Sequence, residues 1–223
     1  MKIDRIFFDL DDTLYPRGNG VWREISKRIT LFMVEKVGLS PRQAEKQRQQ
    51  YYRQFGTSLA GLMVDHQVNP EEYLAYVHDI PLDKYLAPNP ELSNMLSALP
   101  QAKAIFTNAS RLHARRVLSH LGISDHFDHI IAIEDTGLVN KPELRAYSTA
   151  LKLTHPSKAE NSMFIDDRAE NLKPAAQLGM MTVLISEQFM PAAHIDYQIP
   201  SVLHVAQAVP ALKDSLDHSH EST

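Results

Sequence analysis

The sequence predicts an α/β fold: a Rossmann-like parallel sheet core with helices on both faces, plus an inserted α-helical cap domain. Three features lead to this prediction: short apolar runs that stop abruptly, helical patterns between them, and one long stretch with helical signals alone. Apolar runs of this kind are typical of strands buried on both faces. Strands that alternate with helices indicate parallel pairing through crossover helices. The strand candidates are 3–8, 102–106, 130–133, 163–165 and 181–185.

Helix start and stop signals lie between these strands. Ser110 is a capping residue before 111–121, and Gly122 follows the last residue of that segment. Capping side chains at the start and glycine just past the end are the usual boundary signals. Residues 143–153 carry apolar side chains at helical spacing, and 169–178 again leads to a glycine. We therefore predict three crossover helices in the second half of the chain.

The stretch 18–86 breaks the alternation and is predicted to form a helical cap domain. The core domain is then made of 1–17 and 87–223. The first helical pattern of the insertion is amphipathic. Ser40 and Pro41 supply an N-cap and a first-turn proline for the next one,. Such a cap can close over the strand ends, exclude water and contact the substrate.

Composition places the chain among ordinary globular proteins. It has 223 residues, 43% hydrophobic and 22% charged, with a net charge of −4 and no cysteine. Without a basic run it lacks the footprint of a nucleic-acid-binding protein, and disulfides and thiolate metal sites are excluded. It shows neither a signal-peptide pattern nor an apolar stretch of about 18 residues. We expect a cytoplasmic monomer or homodimer without membrane contact, whose polar tail after Leu216 frays.

Polar side chains follow the carboxyl ends of three predicted strands, where ligands bind in open parallel sheets. Carboxylates gathered at one edge repel each other unless a cation lies among them. Mg²⁺ is held by carboxylate oxygens together with phosphate and water. A lysine in the loop after another strand, Lys141, adds a fixed positive charge. The strand-end residues are Asp9, Asp11, Thr107, Asn108, Asp166 and Asp167.

The acidic residues can be given roles in phosphoryl transfer. Asp9, directly at a strand end, is the candidate nucleophile, because a carboxylate can attack phosphorus and form an aspartyl-phosphate. Asp11 is the candidate acid and base, which protonates the leaving oxygen and then activates water. Asp9 and Asp166 are predicted to hold Mg²⁺, with Asp167 as a further ligand. These assignments predict a magnesium-dependent phosphatase.

The transferred phosphoryl group spreads its charge over three oxygens, which need donors around them. Thr107 offers a hydroxyl, the backbone N–H groups near Asn108 can help, and Lys141 supplies charge. Each feature alone has an ordinary explanation, such as a turn, a solvated loop lysine, or a helix cap at Asp166 and Asp167. Their joint occurrence at strand ends and in the loops that follow indicates a phosphate site.

At these positions the sequence resembles the haloacid dehalogenase superfamily of phosphohydrolases. The family's Asp-x-Asp-x-Thr motif, preceded by an apolar strand, is matched by 7–13, and its strand-terminal Ser/Thr by Thr107. Its Lys, often followed by Pro, is matched by Lys141, and its acidic pair after an apolar strand by 164–167. The resemblance covers residues 1 to about 186. It implies a C1-type cap at the insertion and a metal contact from the backbone carbonyl of Asp11. Dehalogenating members lack the second acid, so a phosphatase or phosphomutase is implied.

Three segments, 9–16, 51–62 and 164–171, are similar to the pyrimidine 5′-nucleotidase branch. This implies a pyrimidine nucleoside 5′-monophosphate, UMP or CMP, as the small-molecule substrate. Gly56 and Thr57, in the cap, are predicted to contact it. A sugar phosphate or phosphoglycolate as substrate, or a phosphomutase activity, stays open. A receiver-like phospho-switch has similar residues, but in a different chain order and without a cap.

Other candidate residues are expected to be structural. Trp22 is predicted to pack inside the cap. A cluster of four of the eleven histidines lacks the spacing of a metal site, and its members are predicted to lie on helix and loop surfaces,. Glu170 and Asn171, one turn into a helix, either position a neighbouring site residue or cap the helix. The four histidines are His113, His120, His126 and His129.

Overall fold

A computed structural model describes residues 2–212, and the tail after Leu216, predicted to fray, lies outside the described residues. Within them, six parallel strands form one sheet in the order β3-β2-β1-β4-β5-β6. The predicted α/β fold class is confirmed. The strands are β1 (Arg5–Phe8), β2 (Ala102–Phe106), β3 (His129–Ile131), β4 (Ser162–Asp166), β5 (Met181–Ile185) and β6 (Tyr197–Ile199).

Helices occupy most of the remaining described chain. The α-helices are α1 (Val21–Glu35), α2 (Pro41–Phe55), α3 (Ser58–His66), α4 (Pro70–Val77), α5 (Pro90–Ala98), α6 (Arg111–Leu121), α7 (Leu144–Leu153), α8 (Ala169–Gln177) and α9 (Val205–Ala208). Short 3-10 helices lie at Leu82–Lys84, Ser124–His126, Ala159–Asn161 and Val202–His204. No helix within 2–212 has the length and apolar character needed to cross a bilayer.

Capping side chains set the helix starts that the sequence predicts. The Ser40 side chain accepts a hydrogen bond from the N–H of Gln43, whose side chain bonds back, forming a capping box at α2,. Ser110 likewise caps α6 by accepting from the N–H of His113. Gly122 ends α6 in the left-handed conformation, where glycine has no steric penalty,. Both predicted boundaries of α6 are confirmed.

The sheet is covered on both faces, as the side-chain alternation of β1 shows. Phe8 points into a cluster shared with Leu92 of α5 and Val117 of α6. Phe7 points the other way, into a cluster shared with Tyr147 of α7 and with residues of α8. Because neighbouring strand residues face opposite sides, a strand covered on both faces needs apolar residues throughout, which is the pattern of β1.

Helices α1–α4 fill the chain between β1 and α5, and they pack against one another. The hydrophobic cluster that contains Phe8 continues into these helices through Ile25, Phe32 and Leu62. One continuous core therefore joins the helical insertion to one face of the sheet. The division into a cap of 18–86 and a core of 1–17 and 87–223 stays a prediction.

Four strands differ from the predicted ranges. β1 begins at Arg5 instead of residue 3, and β4 spans Ser162–Asp166 instead of 163–165. β6, three residues with a central Gln198, was not predicted, since it is too short and too polar to form an apolar run. β3 begins at His129 and ends at Ile131, whereas the apolar run suggested 130–133. Ile133 is buried, but its N–H bonds to Ala109 O, outside the strand ladder. Apolar character alone therefore extended the predicted strand too far.

Candidate active site

The site lies where the strand order reverses. β1 pairs with β2 on one side and β4 on the other, and ligands of open α/β sheets bind at such a switch point,. Asp9 follows β1 directly, and its N–H donates to Ile165 O at 2.9 Å. This bond brings Asp9 next to Asp166, the last residue of β4. Thr107 follows β2, so the three residues lie at one edge of the sheet.

The side chain of Lys141 contacts all three strand ends. Its Nζ donates to Asp9 Oδ1 at 2.7 Å, to Asp166 Oδ2 at 2.8 Å and to Phe106 O at 2.8 Å. Its side chain is 1% exposed, so the charge cannot be screened by water. Burial opposes the charge, but the attraction of Asp166 and Asp9 outweighs it and raises the pKa of Lys141,. The lysine is therefore a fixed cation of the site.

Asn108 holds the backbone of Lys141 in place. Its Oδ1 accepts from Lys141 N at 2.7 Å, and its Nδ2 donates to Lys141 O at 3.0 Å. Asn140 Nδ2 adds a bond to the same carbonyl at 2.8 Å. The carbonyl oxygen and the NH₂ group of the Asn108 side chain thus both bind the backbone of Lys141, and a phosphate contact would share these groups. The binding role of Asn108 stays a prediction.

The carboxylates form a group that fits a divalent cation. Asp9, Asp166 and Asp167 each offer an oxygen, and these lie within 4.8 Å of one another. Burial is the main cause that raises the pKa of Asp9 to about 7 and that of Asp167 to about 8. Repulsion from Asp166 adds to both shifts, whereas Lys141 opposes that of Asp9. An oxygen cluster short of positive charge suits Mg²⁺.

Asp166 and Asp167 are oriented differently. Asp166 is fully buried, and its Oδ1 accepts from Arg168 N at 2.9 Å. Asn171 Nδ2 lies 3.0 Å from each of its oxygens, which gives Asn171 a positioning contact. Asp167 is 9% exposed at its side chain, and its Oδ2 accepts from Nη2 of the exposed Arg17 at 2.8 Å. Arg17 was not singled out from the sequence, since nothing in its neighbourhood indicates a partner 150 residues away.

Asp11 is held at one oxygen by two donors. The Tyr15 hydroxyl donates to Oδ1 at 2.5 Å, and His113 Nε2 lies 2.9 Å from the same atom. Burial pushes the pKa of Asp11 up, but His113 and then Tyr15 outweigh it and lower the pKa. The prediction of a surface position is wrong for His113, which is 0% exposed. Its spacing of four residues from Val117 places it on the buried face of α6.

A cavity of about 500 Å³ opens above these groups. Asp9, Asp11, Thr107 and Lys141 line its polar end. Residues of α1–α4 line much of the rest, together with residues of α8 and of the loops that follow β1, β2, β3 and β4. Thr107 Oγ1 accepts from Ala109 N at 3.0 Å, which leaves the hydroxyl proton for a ligand. The cavity is large enough to enclose a whole small molecule, since ligand pockets span about 300–1,000 Å³.

The predicted cap contacts also border the cavity. Gly56 ends α2 with φ 81°, and a Cβ there would come 2.8 Å from Asn140 Nδ2. Thr57 caps α3, with its Oγ1 accepting from Ala60 N at 3.2 Å. Trp22 is 41% exposed and lines the cavity, so its predicted packing inside the cap is wrong. Arg168, to which no sequence pattern points, also borders the cavity, and its guanidinium lies over the Tyr52 ring at 4.4 Å.

Together, the fold and the site define a Rossmann-like α/β protein with a carboxylate and lysine centre at the switch point of its sheet. The sequence profile of the haloacid dehalogenase-like hydrolases matches residues 3–179. The chain therefore belongs to the haloacid dehalogenase-like hydrolase family. A receiver-like switch, which is not a hydrolase, is set aside by this membership.

Several relatives cover nearly the whole chain. Phosphate metabolism protein 8 of Saccharomyces cerevisiae is 29% identical over 93% of this chain and 72% of its own. Glyceraldehyde 3-phosphate phosphatase of Methanocaldococcus jannaschii is 27% identical over 95% of this chain and 99% of its own. The crystal structure of a HAD phosphatase from Thermococcus onnurineus superposes with a TM-score of 0.63, at 19% identity, over 93% of this chain and 97% of that one. This structural likeness shows the fold.

Proposed function

We propose that the protein is a Mg²⁺-dependent phosphomonoesterase that acts through an aspartyl-phosphate on Asp9. The observation that carries the proposal is the position of Lys141 Nζ, within 2.8 Å of both Asp9 and Asp166. It supplies a fixed charge beside the candidate nucleophile and beside an oxygen cluster suited to a cation. Phosphoryl transfer is catalysed mainly by such positioning and charge.

In the proposed first step, the Asp9 carboxylate attacks phosphorus, and Asp11 gives its proton to the leaving oxygen. A bound phosphate favours the protonated form of Asp11, because a neighbouring like charge disfavours the carboxylate. In the second step, Asp11 takes a proton from water, which attacks the phosphorus of the aspartyl-phosphate and releases Asp9. Lys141 and the Thr107 hydroxyl stabilise the phosphoryl oxygens in both steps.

Mg²⁺ would be held by Asp9, Asp166 and Asp167, with the backbone carbonyl of Asp11. When bound, it supplies positive charge that neutralises and aligns the phosphate oxygens. The raised pKa values of Asp9 and Asp167 support this placement, since burial first, and then repulsion from Asp166, disfavours both carboxylates without a nearby divalent cation.

For the substrate we propose a pyrimidine nucleoside 5′-monophosphate, UMP or CMP. The cavity extends beyond the phosphate end and includes Trp22 and Tyr52, both partly exposed. Stacking of a base on an aromatic ring stabilises binding by about 1–3 kcal/mol. Gly56 and Thr57, at the cavity wall, are the proposed contacts for the nucleoside. A cytoplasmic location and a monomeric or homodimeric state stay predictions.

A second candidate is a phosphatase of small sugar or triose phosphates. It is favoured by the relative from Methanocaldococcus jannaschii, whose name specifies glyceraldehyde 3-phosphate. The chemistry at Asp9 would be the same, and only the groups facing the rest of the substrate would differ. Both candidates therefore predict dependence on Mg²⁺. The first predicts a preference for UMP and CMP, and the second a preference for sugar or triose phosphates.

Phosphate release from a panel of monophosphates, with Mg²⁺ or with EDTA, tests the proposal. The panel contains UMP, CMP, AMP, glyceraldehyde 3-phosphate, a hexose phosphate and phosphoglycolate. Mg²⁺-dependent release with the highest kcat/KM for UMP and CMP is the expected result. Preference for another compound would keep the phosphatase and remove the pyrimidine assignment. Absence of release from every compound would overturn the phosphatase, and the phosphomutase alternative would then be tested.

A further inference from the structure

The two donors on Asp11 converge on the same oxygen. Tyr15 Oη and His113 Nε2 both bond Oδ1, at 2.5 and 2.9 Å. In the described part of the chain, Oδ2 has no hydrogen-bonding protein partner. Asp11 also lines the cavity, and its side chain is 16% exposed. The carboxyl group therefore has one oxygen fixed by the protein and one left for a proton or a ligand.

His113, which makes one of these two contacts, is a buried residue. It has no exposed surface, and its Nδ1 is buried without a hydrogen-bond partner among the described residues. An ionised carboxylate oxygen can only accept a hydrogen bond, so Nε2 of His113 is the donor to Asp11, and Nδ1 is the nitrogen without a partner,. Burial of an unsatisfied nitrogen costs stability, so packing alone does not explain a histidine at position 113.

The ring of His113 is held by a second histidine from the end of α4. The rings of His78 and His113 stack with centroids 4.4 Å apart and planes 21° apart. His78 Nδ1 lies 3.0 Å from the Oγ of Ser110, the cap of α6. Arg116, one turn further along α6, donates to His78 O at 2.8 Å and to Ile80 O at 2.6 Å. The His113 ring that contacts Asp11 is therefore held by stacking on His78, and His78 is held in turn by Ser110 and Arg116.

We propose that His113 and Tyr15 are positioning residues for Asp11, fixing Oδ1 so that Oδ2 faces the cavity and carries the catalytic proton. This inference rests on the proposed phosphatase activity. In the first step the Oδ2–H bond breaks, and the proton goes to the leaving oxygen as its bond to phosphorus breaks. In the second step Oδ2 takes one proton from water, while the water oxygen bonds to phosphorus and Asp9 leaves as a carboxylate.

The leaving group provides a readout that a merely structural role would not change. Phenyl phosphate and 4-nitrophenyl phosphate have similar shapes, but 4-nitrophenolate leaves without needing a proton. We would measure the single-turnover release of each phenol, which isolates the first step, in wild type, His113→Ala and Tyr15→Phe. General acid catalysis contributes about 10²–10⁴-fold. Both variants should therefore slow phenyl phosphate by about 10–100-fold, and 4-nitrophenyl phosphate by at least about fivefold less.

Two further variants complete the design. His113→Gln retains an N–H donor and is expected to recover part of the rate with phenyl phosphate. His120→Ala removes a histidine of the same helix whose ring, among residues 2–212, hydrogen-bonds a backbone carbonyl, Arg116 O at 2.8 Å, and no site residue; both rates should remain unchanged. If His113→Ala does not fold, Tyr15→Phe, which removes a single oxygen atom, provides the same comparison.

The outcomes separate the inference from the proposed function. A wild type inactive on both aryl phosphates would contradict the phosphatase itself. An active wild type whose His113→Ala and Tyr15→Phe variants lose rate equally on both compounds would overturn the positioning role. The same holds if the variants change only KM, or if His113→Gln is as slow as His113→Ala.

Discussion

The substitution Lys141→Met isolates the charge at the centre of the site. Methionine is similar in length and apolar, so the change removes the cation without leaving a large cavity. Three hydrogen bonds of 2.7–2.8 Å are lost, to Asp9, Asp166 and Phe106 O. The two carboxylates then lie side by side in a buried environment without their counter-ion.

The expected effect on stability follows from this burial. Removing one partner of a buried ion pair costs about 3–5 kcal/mol. For a protein of this size, about 2–4 °C of Tm corresponds to each kcal/mol, so the Tm should fall by about 6–20 °C. The effect on turnover comes from the loss of one charged donor to the phosphoryl oxygens. Removal of such a donor lowers kcat by about 10²–10³-fold.

Lys103→Met is the matched control, since Lys103 is also buried. Its Nζ donates to Leu99 O at 2.5 Å and to Gln101 O at 2.9 Å, and it contacts no site carboxylate. Lys103 lies on β2, four residues before Thr107, which follows the strand; this corresponds to about 13 Å along the extended chain,. Lys103→Met should lose about 1–3 kcal/mol of stability through the orphaned carbonyls, with kcat nearly unchanged.

The assay is kcat and KM with the preferred substrate of the panel at saturating Mg²⁺, alongside thermal unfolding of each variant. Measurements are made well below the lowest Tm, so that unfolding does not contribute to the loss of activity. Wild-type kcat in Lys141→Met would refute the reasoning. An equal loss of kcat in Lys141→Met and Lys103→Met would do so as well, because the loss would then follow from burial alone.

Three other predictions follow from the same geometry. Asn108→Ala should lower kcat with a loss of about 1–3 kcal/mol in stability, since two bonds to the backbone of Lys141 disappear,; wild-type kinetics would exclude this positioning contact. Mg²⁺ at about 100 times its Kd should raise Tm by about 5–10 °C over EDTA, from a stabilisation of about 2.7 kcal/mol; an unchanged Tm would argue against the cluster of Asp9, Asp166 and Asp167 as its site. Gly56→Ala should destabilise the protein by about 1–2 kcal/mol at φ 81°,, measured by urea unfolding, and an unchanged midpoint would contradict that strain.

Local sequence signals were sufficient for the elements that position the site. The apolar run that forms β1 stops at Asp9, and the run that forms β4 ends at Asp166, so both carboxylates were placed at one sheet edge. Ser110 marked the start of α6 because its side chain caps the helix locally. These features depend on neighbours within a few residues, which the sequence displays directly.

Contacts between distant segments could not be read in the same way. Asn108 bonds a backbone 33 residues away, and His113 meets Asp11 across 102 residues. The helical spacing of His113 with Val117 carried a signal for burial, but not for its partner. β6 was missed because three residues with a central Gln do not form an apolar pattern. Residue type and spacing thus predicted the candidate catalytic residues, but not the residues that contact and orient them, such as Asn108 and His113.

The identity of the phosphorylated residue tests the central claim most directly. Enzyme turning over its preferred substrate with Mg²⁺ is quenched in acid and reduced with borohydride, which converts an acyl phosphate to an alcohol that mass spectrometry locates. The account predicts the modification at Asp9, dependent on substrate, and its absence in a folded, inactive Asp9→Asn variant. Modification at any other residue, or full turnover by Asp9→Asn, would contradict it.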